Sequence, residues 1–130
     1  MKLNFNSILL SSEDHKRLVE FYSEVFEKKP EMEDETYSGF LVGSCFLSIG
    51  AHDKVKGKST NPERILFNFE TDDVKGEFER IKKIEGVKVI AEPYSPSPDW
   101  DGFIATFADP DGNYFQLMPP WDAEEEDTRN

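Results

Sequence analysis

A short apolar strand running into a cluster of helix-capping side chains occurs twice in this chain. The clusters are Ser11-Ser12-Glu13-Asp14 and Thr71-Asp72-Asp73, with Asp14 and Asp73 59 residues apart. Such side chains accept hydrogen bonds from the free N–H groups of a helix's first turn, so each cluster commits the residues behind it to a helix. In the first copy Leu3 to Leu10 reads as a strand, and Leu18, Phe21, Tyr22 and Val25 recur at helical spacing through Phe26, with Pro30 closing the segment. Phe40-Leu41-Val42 and Phe46-Leu47-Ser48-Ile49 follow as two strands joined across Gly43-Ser44. In the second copy Ile65 to Phe69 is the strand, Val74, Phe78 and Ile81 share one helix face, and Gly86 ends the helix just after Lys82 and Lys83. Val87 to Ala91 is a short strand, and Phe103 to Phe107 pairs with Tyr114 to Met118 around Asp109-Pro110-Asp111-Gly112-Asn113. Pro110 presets a turn dihedral, and Gly112 takes the positive φ of the return.

The pattern predicts an α+β chain of two βαβββ modules. A single domain spans 1–121, with module one at 1–50, a linker at 51–62 and module two at 63–121. The halves share pattern rather than sequence identity. Residues 92–101, with Tyr94, Trp100 and three prolines, form a second long loop. A chain of 130 residues with 37% hydrophobic residues and 11 Phe suits one domain with a true core. No apolar run approaches the roughly 20 residues of a membrane span, and the start Met1-Lys2-Leu3-Asn4 lacks a signal-peptide stretch. Cys45 is the lone cysteine, so no internal disulfide forms, and a cytoplasmic setting is expected. A net charge of −12 disfavours nucleic acid and anionic membrane as partners. The acidic stretch 122–130 reads as a flexible, solvated tail.

Three segments carry a family resemblance: Asp14 to Phe26 with Phe21-Tyr22 inside it, Phe69 to Val74, and Phe107 to Leu117 with its Asp-Pro-Asp-Gly turn. In order and spacing they resemble the vicinal oxygen chelate superfamily, the glyoxalase, bleomycin-resistance and dioxygenase group, over residues 3–120. The resemblance implies a curved mixed sheet around a cavity, with helices on the outer face and His or Glu metal ligands on the inner face. Carried over, the four ligand positions fall on Ser7, Ser48, Leu66 and Gln116. Two hydroxyls, an amide and a leucine do not offset the dehydration of a divalent cation. No metal or other cofactor is therefore expected.

Strand parity agrees with that alignment, because side chains alternate between faces. One face collects Ile8, Leu10, Cys45, Leu47, Ile49, Ile65, Phe67, Phe69, Phe115 and Leu117, an almost wholly apolar set suited to helix cover. The other collects Phe5, Ser7, Leu9, Phe46, Ser48, Arg64, Leu66, Asn68, Tyr114, Gln116 and Met118, the mixture of a small-molecule pocket. With Trp100 from the loop, these are the candidate ligand-binding residues. The same set also fits a core plugged by its own Phe and Met. Ser7, Ser48, Asn68 and Gln116 favour the pocket, since a dry plug leaves polar groups unsatisfied. Trp100 and Tyr94 fit ligand stacking or a core or dimer contact, and Arg64 fits a ligand carboxylate or a surface ion pair.

His15 on the first helix and His52 in the linker read as surface residues, and Cys45 as a buried structural thiol. Glu70, of inner parity, is a candidate base at a strand end. Gly76 stands alone within the second helix, and no glycine-rich phosphate loop is present. The leading functional expectation is a metal-free protein that binds, and sequesters, a small apolar or aromatic molecule. The alternatives are a lyase, isomerase or dioxygenase-type enzyme with an unconventional site, and a dimeric interaction module. A homodimer is expected, because an open sheet leaves edges and a cleft to cover.

Overall fold

The computed structural model describes residues 2–120. The acidic stretch read as a tail lies outside them. Module one contains β1 (Ser7–Ser12), α1 (His15–Phe26), β2 (Met32–Glu33), β3 (Tyr37–Val42) and β4 (Cys45–Ala51). A 3-10 turn at Pro62–Arg64 leads into β5 (Leu66–Glu70), α2 (Val74–Ile81), β6 (Lys88–Tyr94), β7 (Ile104–Ala108) and β8 (Tyr114–Met118). Each module is a four-stranded mixed sheet, ordered β1-β4-β3-β2 and β5-β8-β7-β6. In both, the first strand runs parallel to the last, and the remaining pairs are antiparallel. A parallel pair needs a long crossover, which the helix and the two intervening strands supply. The molecule is the α+β pair of βαβββ modules expected from its sequence.

The repeat extends to individual hydrogen bonds. The Asp14 N–H donates to Ser12 Oγ at 3.0 Å, and the Asp73 N–H donates to Thr71 Oγ1 at 3.1 Å. Asp14 then accepts from the Arg17 N–H at 3.3 Å and Asp73 from the Gly76 N–H at 3.0 Å. Gly76 thereby acquires a reason. A Cβ there would lie 2.1 Å from Asp73 Oδ2, so the missing side chain lets the capping carboxylate sit against the helix.

Several boundaries differ from the sequence reading. α1 stops because Glu27 turns left-handed at φ 55, three residues before Pro30. α2 ends at Ile81, so Lys82 and Lys83 fall beyond it and Arg80 is its basic last-turn residue. Gly86, at φ +94, closes the turn that follows. β2 was not located from sequence, since Met32–Glu33 is too short to show alternation. β6 extends to Tyr94, taking up the start of the loop read at 92–101. The 3-10 turn delays β5, and Ile65 is 66% exposed rather than under the helices.

Otherwise the outer faces are apolar and covered. Leu18, Phe21, Tyr22 and Val25 of α1, Val74, Phe78 and Ile81 of α2, and Phe40, Leu47, Ile49, Phe107, Phe115 and Leu117 of the sheets form one buried cluster. Phe115 is its hub, with ring centroids 5.3 Å from Phe107, 5.7 Å from Phe69, 5.9 Å from Tyr22 and 6.1 Å from Phe21. Helix α1 thus packs against both sheets.

The closing turn locks this contact. Asp109 Oδ1 accepts from the N–H groups of Asp111 and Asn113 at 2.9 and 3.0 Å, while Oδ2 accepts the Tyr22 hydroxyl at 2.7 Å. Burial pushes the Asp109 carboxyl up despite these hydrogen bonds, and burial beside that carboxylate holds the Tyr22 phenol far above its ordinary range. Arg17 adds bonds to Asp111 Oδ1 and the Pro110 carbonyl, both at 3.3 Å. Among the described residues, no helix is long and apolar enough to cross a membrane.

Candidate inner-face binding site

Opposed residues on neighbouring strands share a face, so the register builds the site row by row. In sheet one, Ser7 stands opposite Phe46, which stands opposite Leu41, and Leu9 stands opposite Ser48, which stands opposite Gly39. Two glycines thin this face. The Phe46 ring lies over Gly39, where a Cβ would be 2.3 Å from the ring, and the Tyr37 ring lies over Gly50 at the same distance. In sheet two, Leu66, Tyr114 and Ala108 form one row, and Asn68, Gln116 and Thr106 the next, with Glu70 opposite Met118 beyond. Ser7 relates to Ser48 as Leu66 relates to Gln116, one row apart on a parallel pair. The pseudo-repeat therefore places all four carried-over positions on equivalent sites.

The face is open in the single chain. Leu9 is 57% exposed and Leu41 50%; Ser7 and Asn68 are exposed, while Phe46, Ser48, Leu66, Tyr114, Gln116 and Met118 are half-buried. Three candidate residues stand apart from the sheets. Phe5 precedes β1 and is 80% exposed. Arg64 ends the 3-10 turn rather than starting the strand; it is exposed and makes no ion pair among the described residues. Trp100 lies in the loop between β6 and β7, its ring against Gly102 and its carbonyl accepting from Ser95 Oγ at 2.9 Å.

The donor set does not suit a metal. Among the described residues, no three His, Cys, Asp or Glu side chains cluster in a way that could hold an ion. His15 Nε2 lies 3.1 Å from the Glu35 carbonyl, and His52 Nδ1 accepts from the Lys54 N–H at 3.1 Å. Cys45 is half-buried rather than fully buried, because its strand begins at the hairpin. Glu70 is exposed at the end of β5.

Sequence reading missed Tyr37, Leu41, the glycines beneath the two rings, and Thr106. Thr106 was legible in principle: residues 106 and 116 are equidistant from Asp111, the centre of the closing turn. It is 5% exposed, and Gln116 Nε2 donates to its Oγ1 at 3.1 Å. A separate hollow of about 750 Å³ lies on the helix side, lined by Arg17, Glu20, Glu24, Lys29, Glu85 and Pro110 among others. It shares no residue with the inner face, and its mixed charges offer no converging donor set.

The glyoxalase-like domain family matches residues 5–120. Among solved structures, a glyoxalase/bleomycin resistance protein/dioxygenase family enzyme from Burkholderia phytofirmans superposes with a TM-score of 0.72 at 18% identity, covering 90% of this chain and 98% of that one. The fosfomycin resistance protein FosX from Mesorhizobium loti superposes with a TM-score of 0.68 at 20% identity, covering 97% and 98%. A glyoxalase I mutant from Zea mays gives 0.70 at 20% identity, covering 88% of this chain and 46% of that one. At these identities the likeness is one of fold. No curated protein gives a significant sequence match.

Proposed function

The chain belongs to the glyoxalase-like domain family, and from that premise we propose that it binds and sequesters a small, uncharged apolar or aromatic molecule on the inner face, without a metal. The observation that carries this reading is the set Ser7, Ser48, Leu66 and Gln116 at equivalent positions of the two sheets, beside exposed Leu9 and Leu41. Apolar area left in water on an open sheet face gains from burial against a ligand or partner, at about 25 cal/mol per Å². Neutral hydroxyl and amide groups among it orient a guest without demanding a charge.

A second copy of the chain covers the rest of the face, giving a homodimer with ligand held between copies. A reducing cytoplasm suits its single half-buried thiol. The fold relatives include enzymes, and Glu70 is the residue an acid-base reading would use; its exposure at a strand end gives it no dry setting in which to work.

A thermal-shift screen of neutral aromatic compounds, paired with elemental analysis, tests the proposal. Stabilisation by compounds that perturb inner-face residues in NMR supports it. About one tightly held divalent ion per chain, lost on Gln116→Ala, would overturn it.

A further inference from the structure

We propose that the row Asn68–Gln116–Thr106 reads the edge of a neutral cyclic amide, a planar ring presenting a carbonyl acceptor beside an N–H donor, and that Thr106 is the positioning residue which fixes Gln116 for the task. This rests on the reading of the inner face as a binding surface. The three residues stand opposite one another on β5, β8 and β7, on strands that run about 4.8 Å apart. Thr106 is buried, and a buried hydroxyl needs a partner; its partner is the Gln116 amide, at 3.1 Å. That bond commits one Gln116 N–H and holds the carboxamide across the sheet. The Gln116 carbonyl and the second N–H remain available. Asn68, exposed on the neighbouring strand, forms no side-chain hydrogen bond among the described residues and offers a second carboxamide.

A carboxamide presents an acceptor and donors in one plane, which complements the paired acceptor and donor of a lactam. No ionisable group lies in this row. A carboxylate ligand would also meet Glu70 one row away and a chain of net charge −12. The adjoining row supplies the half-buried Leu66 and Tyr114 as apolar area for the ring itself.

The test uses three probes on the full chain: quinolin-2-one, its N-methyl derivative, which lacks the donor, and naphthalene. Affinity is measured by calorimetry, and the binding site by NMR shifts of side-chain amides. Quinolin-2-one should bind at least about tenfold more tightly than either control, the discrimination expected of one well-made hydrogen bond, and should shift the amides of Asn68 and Gln116. Thr106→Val should collapse that preference, and Thr106→Ser should restore it. A purely structural Thr106 would change all three affinities alike. Should Thr106→Val fold poorly, Asn68→Ala, at an exposed position, must still reduce the preference. Equal binding of all three probes at the inner face would overturn the amide subsite and leave the binding function standing. No inner-face shift with any probe would overturn both.

Discussion

Burial of the Tyr22 phenol against the Asp109 carboxylate ties folding stability to the protonation of one residue. The folded carboxyl is raised above its ordinary value of 3.8, chiefly by burial. Its contribution to stability is therefore fully present below the unfolded pKa and lost as pH rises through the folded one. The Tyr22 hydrogen bond opposes this by stabilising the charged form. Tyr22→Phe should cost about 1.5–3 kcal/mol at neutral pH, the range for a hydrogen bond to a charged group. The variant's Asp109 should titrate higher still, so its deficit should shrink as pH falls through the acid range. Urea denaturation of both proteins at neutral and acid pH measures this. A deficit independent of pH would show that packing, not the carboxylate, carries the effect.

The helices meet through a cap that neither could form alone. α1 has no basic residue in its last turn. Arg80 of α2 supplies one, donating to the carbonyls of Glu24 at 3.0 Å and Val25 at 2.8 Å while its guanidinium bonds Glu77 Oε2. A cation at a helix C-terminus with two carbonyl bonds contributes about 1–2 kcal/mol in a partly buried setting. Arg80→Ala should lower stability by that amount in chemical denaturation. Arg80→Lys should recover less than half, since an ammonium cannot span both carbonyls in the same fixed fork. At the other end of α2, Gly76→Ala sets two effects against each other. Helix propensity favours alanine by about 1 kcal/mol, and loss or lengthening of the Asp73 cap costs about 1 kcal/mol. The variant should fall within about 0.5 kcal/mol of the parent, whereas free gain of the full propensity would show that Asp73 contributes little.

For the whole molecule, what covers the inner face matters most. Leu41 has little intrachain packing to lose at half exposure, so Leu41→Lys should change folding stability by less than about 0.5 kcal/mol. If a second copy covers the face, the parent should sediment at twice the 15.0 kDa chain mass and the variant should dissociate. A parent that sediments only as a 15.0 kDa species at micromolar concentration would remove the dimer from the proposal.

Strand alternation and helical spacing are properties of a few consecutive residues, set by backbone geometry. The two faces of β1, β4, β5 and β8, the caps at Asp14 and Asp73 and the turn at Gly112 were accordingly legible in the sequence. So were the neutral residues at Ser7, Ser48, Leu66 and Gln116: the family resemblance assigns them to its ligand positions, and strand parity puts them on one face. Contacts between residues far apart in sequence were not legible. Arg80 reaching the end of α1, Asp109 receiving Tyr22, and Thr106 holding Gln116 each depend on how separate elements dock. Phe5, Arg64 and Trp100 lay outside the reach of alternation for the same reason: they sit before a strand, in a 3-10 turn and in a loop, where no period dictates direction. Local pattern assigned which side chains of β1, β4, β5 and β8 share the inner face; only the packed chain decided that the face stands open, because exposure depends on what lies opposite it.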